Sequence, residues 1–146
     1  MYLVSACLAG FNCRYDGRSN ENKTVIDLVK QGKAVPVCPE QLAGLHTPRV
    51  SCEIQMQNRR VISKDGRDLT EEFVNGAERT LAIAQALNIK KAILKAKSPS
   101  CGCGEIYDGS FSGKLVEGNG LTAELLIKNG IEVCTEMQID KKPQSL

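Results

Sequence analysis

The chain has 146 residues, of which 42% are apolar and 25% charged, with a formal net charge of +2. A chain of this length buries roughly 68–70% of its unfolded surface in one core, so it needs no disulfide staples. Near-neutral charge and an aromatic content of only 4% speak against a base-stacking platform for polymeric nucleic acid, and no apolar stretch approaches the roughly 20 residues of a membrane span. The amino terminus lacks the basic, apolar and cleavage segments of a secretory signal, which predicts a reducing, cytoplasmic setting for the seven cysteines.

Residues 1–6 form an apolar run ending at Cys7 and read as a buried strand. Val25, Ile26 and Val29 mark one face of a short helix that stops near Gly32, and a second strand follows over 33–37, with Pro36 assigning it to an edge or a strand end. From Gln41 to Arg67 the sequence is irregular, with a hairpin signal around Val61 and Ile62 and a turn at Asp65-Gly66. Asp68 and Glu71 have capping-box spacing, and Phe73, Ala77, Leu81, Ala84 and Leu87 recur every three or four residues, so the longest helix begins here. A third strand is expected over 91–96, a helix over 122–128 capped by Gly130, and a fourth strand over 131–134. Alternation of strands and helices predicts an α/β, Rossmann-like three-layer domain with a small, mostly parallel sheet. It would occupy residues 1–139, leaving 140–146 as a polar tail.

Cys7, Cys38 and Cys101 each lie just after one of the apolar runs and before a turn. Parallel strands would gather all three at the carboxyl edge of the sheet, where open α/β sheets bind ligands, and this suggests a shared metal centre. Cys134 also ends a strand but lacks turn residues and reads as core, while Cys13 and Cys52 have loop contexts and read as non-ligands. Cys103, flanked by Gly102 and Gly104, is open to two readings: an added ligand or resolving thiol, or a side chain turned away from the site. Glu40 would sit beside a centre at Cys38, either as a proton shuttle or as a solvated turn residue. Ser98 and Ser100 bracket Pro99 and could bind substrate or form a serine turn, and Arg49 could hold an anion or a carbonyl or lie on the surface. His46 is the only histidine, which leaves little room for Cys/His catalysis. Asp16 and Asp108 recur in Tyr-Asp-Gly triplets and read as turn scaffolding.

Ser5-Ala6-Cys7-Leu8-Ala9-Gly10, Cys13-Arg14-Tyr15-Asp16-Gly17, Cys38-Pro39-Glu40, Thr47-Pro48-Arg49, Ser98-Pro99-Ser100-Cys101-Gly102 and Ile106-Tyr107-Asp108-Gly109 stand in this order along the chain. Together they resemble the thiouracil desulfidase family, over nearly the whole length. The resemblance implies a [4Fe-4S] cluster on Cys7, Cys38 and Cys101, with one iron not bound by protein. It further implies non-redox desulfuration of a small thiolated pyrimidine such as thiouracil, yielding sulfide and the oxo base. Glu40 and Ser98 match the catalytic positions, and Arg49 and Ser100 are the substrate-binding candidates. A homodimer is compatible with this reading. The competing expectations are a non-catalytic carrier of iron, sulfur or sulfide, and a thiol redox protein using Cys101 and Cys103.

Overall fold

Four short parallel strands make the central sheet of the computed structural model, which describes residues 1–141. They are β1 (Tyr2–Ser5), β2 (Ala34–Val37), β5 (Lys91–Leu94) and β8 (Glu132–Thr135), in the order β2-β1-β5-β8. The other strands form two antiparallel hairpins, β3 (Cys52–Ile54) with β4 (Val61–Ser63) and β6 (Glu105–Tyr107) with β7 (Leu115–Glu117). Helices α1 (Lys23–Lys30), α2 (Pro39–Leu42), α3 (Thr70–Ala86), α4 (Leu121–Lys128) and α5 (Glu136–Lys141) complete the fold. Pro36 pairs with Val4 on the edge strand β2, where the missing donor faces no further strand.

Period-two alternation along the strands divides the core between two faces. Leu3, Ala92 and Leu94 pack with Ala84 of α3 and with Ala123 and Leu126 of α4, whereas Val4 and Ile93 pack with Val25 of α1 and Ile139 of α5. The result is helix on sheet on helix, as the alternating pattern predicts. Leu3, Val4, Ile93, Leu94 and Leu126 are fully buried, each contributing about 1.5–3 kcal/mol of transfer free energy.

The chain leaves β1 toward β2 on one side and returns past β1 to place β5 on the other, so the order reverses between β1 and β5. In open α/β sheets this switch point opens a crevice at the carboxyl ends of the strands. The third core cluster, Ile54, Val61, Phe73 and Ile106, joins both hairpins to the start of α3 and builds a wall beside that crevice. A glycine inside α3 allows the approach of α2: a Cβ on Gly76 would lie 2.3 Å from the Pro39 carbonyl oxygen.

Three local features differ from the sequence reading. Helix α3 begins at Thr70, not at a capping box on Asp68, because Asp68 bridges to Ile62 of the hairpin and its Oδ1 accepts from the Thr70 amide at 3.0 Å. The segment 105–117 contains a hairpin whose three-residue strands are too short to show periodicity. Asp140 and Lys141 belong to α5, and Asp140 accepts from the Asn22 side-chain amide at 3.1 Å; residues 142–146 of the expected tail lie outside the described residues. No described helix is long and apolar enough to cross a membrane.

Candidate active site

The crevice encloses a cavity of about 520 Å³, within the range of small-molecule sites. Cys7, Cys13, Cys38 and Cys101 line it together with Glu40, Arg49, Lys95 and Ser98. All seven cysteines of the chain are free thiols.

Each thiol-bearing segment is fixed by backbone hydrogen bonds. Cys7 sits in one 3-10 turn, Ala6–Ala9, directly after β1, and Gly10 ends the turn at φ 95°, which glycine adopts without steric cost. The Cys7 carbonyl also accepts from the Asn20 amide at 2.9 Å. Cys38 is the N-cap of α2, with Pro39 in the first helical position where no amide hydrogen is needed. Cys101 lies in the loop after β5, where Ser98 Oγ accepts from the amides of Ser100 at 3.1 Å and Cys101 at 3.0 Å. The start of α4 docks on the same loop: the amides of Gly120, Leu121 and Thr122 donate to the carbonyls of Gly102, Pro99 and Ser100 at 2.8, 2.9 and 2.8 Å.

Cys13 reaches the cavity from the loop before α1 and is 4% exposed. Its thiol hydrogen-bonds both Cys7 and Cys38, and its carbonyl is 3.9 Å from Cys38 Sγ. These contacts divide the proton affinities. The Cys13 thiol holds Cys7 down to about 7, against the opposing effect of burial, and lowers Cys38 in the same way. Cys13, bonded first to Cys38 and then to Cys7, is pushed well above the usual thiol range and remains the proton donor of the trio. Burial raises Cys101, assisted by the negative charge of Glu40. The loop context of Cys13 predicts a non-ligand; it remains outside the proposed ligand set, but its thiol is part of the site. No fixed spacing links positions 7, 13 and 38, and only the loop before α1 brings the three together.

Glu40 projects from the first turn of α2 and pairs with Arg49 at 3.4 Å, both side chains being largely buried at 15% and 12% exposure. The other Arg49 contacts reach the Cys13 carbonyl at 3.0 Å, Thr47 Oγ1 at 3.1 Å and the His46 carbonyl at 3.3 Å. Arg49 is therefore a clamp that orients Glu40 and the Cys13 loop as well as a cavity-lining cation. Lys95 pairs with Glu136 at 3.0 Å and donates to the Ala96 carbonyl.

Ser98 and Ser100 separate in space. Ser98 lines the cavity, and with its oxygen accepting two amides, its own hydrogen is available to a ligand. Ser100 is 1% exposed and its hydroxyl is bonded to Thr122 Oγ1 at 2.8 Å, outside the cavity lining. The expectation that Ser100 contacts substrate is corrected by this geometry: its hydroxyl holds the loop to α4. Cys103 lies outside the cavity lining, packed against the α3/α4 core with Sγ 3.9 Å from the Val133 carbonyl. Cys134 packs in the opposite core, with Sγ 3.7 Å from the Ala92 carbonyl. Cys52 lines the cavity, with burial raising its thiol to about 11.

Thiolates are soft donors suited to iron–sulfur, zinc or copper(I) centres. Among the described residues no three metal-binding side chains close on a single-ion site. The thiols line a cavity of about 520 Å³, which has room for a group larger than one ion.

An open parallel sheet carrying thiols, a clamped carboxylate and a free hydroxyl at its switch point defines an α/β enzyme of the small-molecule kind, with donors for a soft metal group. The chain belongs to the 2-thiouracil desulfurase family, whose model matches residues 2–138. It is similar to a solved structure titled [4Fe-4S]-dependent thiouracil desulfidase TudS, with 41% identity and a TM-score of 0.90 over 99% of this chain and 95% of that one. It is also 43% identical to the uncharacterized protein YbbK of Bacillus subtilis (strain 168), covering 96% of this chain and 98% of the relative.

Proposed function

We propose that this protein is a [4Fe-4S]-dependent desulfidase that converts a thiolated pyrimidine such as thiouracil into its oxo base and sulfide without net redox change. The observation that carries the reading is the meeting of Cys7, Cys38 and Cys101 with Glu40 and Ser98 in one cavity at the switch point. The three cysteines would hold the cluster, and bound there with one iron free of protein ligands it would supply a soft Lewis acid for the thiocarbonyl sulfur.

The protein's own groups would supply positioning and proton transfer. Glu40, oriented by Arg49, would take a proton from the attacking water and return it as sulfur departs. Ser98 would donate its hydrogen to the base, orienting the ring and stabilising charge that develops on it. Lys95 adds positive charge to the same wall. Small thiolated bases fit a cavity of this volume.

The test is anaerobic reconstitution followed by iron and sulfide analysis. Bound iron is expected at about four per chain, with sulfide released from 2-thiouracil in step with uracil formation. Glu40→Gln should lower turnover by roughly 10²–10⁴ while retaining iron. Loaded protein that releases no sulfide from any thiolated pyrimidine would reject the catalytic reading in favour of a carrier.

A further inference from the structure

The chain has three phenylalanines, three tyrosines and no tryptophan, and four of these six rings, Tyr15, Phe73, Tyr107 and Phe111, line the cavity. A protein poor in aromatics has concentrated them at one place. Three of the four have other duties. The Arg14 guanidinium lies over the Tyr15 ring, 5.9 Å from its centroid. Phe73 is 4% exposed within the core that joins α3 to the hairpins, and Tyr107 is a ladder residue of β6 paired with Leu115.

Phe111 is different. It sits between β6 and β7 with φ at 58°, a left-handed conformation that is costly for a bulky residue and persists only where the surroundings impose it. Here they do so through β3. Glu53 Oε1 accepts from the amides of Gly109 at 2.9 Å and Phe111 at 3.1 Å, and the Gln55 side-chain amide donates to the Gly109 carbonyl at 3.0 Å. Asp108 Oδ1 accepts from the Ser110 amide at 2.9 Å within the loop. The approach is close enough that a Cβ on Gly109 would lie 2.7 Å from the Ile54 carbonyl oxygen. The loop is thus laced to the neighbouring hairpin, and the strained residue is the one that carries a ring into the cavity wall.

We propose that Phe111 is the stacking surface for the planar ring of the substrate, a specificity-determining residue, and that Glu53 is the positioning residue that holds it there. The proposal rests on the thiolated-pyrimidine reading above. A flat conjugated ring suits an aromatic face, and stacking accepts the thio and oxo forms alike, so it would act on ground-state binding more than on the chemical step.

Because the chain lacks tryptophan, Phe111→Trp in the cluster-loaded protein carries a unique fluorophore. Titration with uracil is expected to change its emission saturably, whereas Phe11→Trp, at a site 52% exposed and outside this cavity, should not respond. Phe111→Ala and Phe111→Leu are each expected to raise KM for 2-thiouracil, and Ki for uracil, by about tenfold, with kcat and iron content unchanged. Phe111→Tyr should stay within about twofold of the parent, since it keeps the π face. Glu53→Ala should reproduce the KM effect and add little to Phe111→Ala, as expected for residues acting as a unit. Unaltered KM and Ki in the Phe111→Leu variant, or emission from the Phe111→Trp variant that is blind to saturating uracil, would overturn the proposal. A protein that binds uracil on Phe111 yet never releases sulfide would keep this inference and lose the reaction assigned above.

Discussion

Gly120→Ala isolates the seam between the Cys101 loop and α4. Gly120 has φ −67° and ψ 164°, an extended conformation open to alanine, so backbone strain does not enter. The added Cβ would lie 2.4 Å from the Ser100 carbonyl oxygen, 2.5 Å from its carbon and 2.8 Å from the Pro99 carbonyl oxygen. The Ser100 carbonyl cannot yield freely, because it accepts from the amides of Thr122 at 2.8 Å and Ala123 at 3.2 Å. The Gly120 amide itself donates to Gly102. Overpacking costs about 1–3 kcal/mol, and each weakened hydrogen bond adds about 0.5–1.5 kcal/mol, so we expect a loss of about 3–5 kcal/mol. For a chain of this size the melting temperature would fall by roughly 10–15 °C, read by circular dichroism. The displaced Cys101 should also reduce iron bound after reconstitution. Two controls separate the causes. Gly113→Ala meets nothing within 4 Å but has φ 82°, so it should cost only about 1 kcal/mol of backbone strain. Gly118→Ala meets the end of the Ile106 side chain at 3.1 Å, which can shift. If Gly120→Ala is no more harmful than Gly113→Ala and binds iron fully, the docking argument is wrong.

The remaining predictions concern the thiols. Alanine at Cys7, Cys38 or Cys101 should each abolish iron retention, while alanine at Cys52, Cys103 or Cys134 should leave it intact; iron and absorption measurements on the six variants check this. In metal-free protein, alkylation mapped by mass spectrometry should modify Cys7 first. At pH 8 a thiol near 7 is mostly thiolate, whereas Cys52 near 11 is ionised to roughly one part in a thousand. Raising the pH to 11 should bring Cys52 into reaction. Cys13→Val should slow Cys7 labelling at pH 8, because the Cys13 thiol is the largest influence lowering Cys7, and an unchanged rate would count against that hydrogen bond.

Much of the fold was legible because its signals are local. The apolar runs before Cys7 and Cys38, the three-to-four spacing from Phe73 to Ala84 and the cap at Gly130 all correspond to observed elements, with boundaries shifted by one or two residues. The hairpins were legible only in part: Val61 and Ile62 signalled the first, but its partner strand and the whole second hairpin gave no pattern. Strands of three residues hold at most two side chains per face, too few for a period, and their stability comes from Ile54, Val61, Phe73 and Ile106 packing across distant parts of the chain.

At the site the division has the same physical origin. The sequence by itself determined that Cys7, Cys38 and Cys101 follow strands, since parallel order sends every strand end to one edge, and it drew attention to Glu40, Ser98 and Arg49 beside them. Only the tertiary structure set Ser98 in the cavity wall and Ser100 against Thr122, packed Cys103 against the core and brought Cys13 against Cys7 and Cys38. Strand order follows from a repeating pattern of apolar residues along the chain. The direction of a loop side chain follows from which donors and acceptors happen to meet it in space, and no pattern along the chain records that.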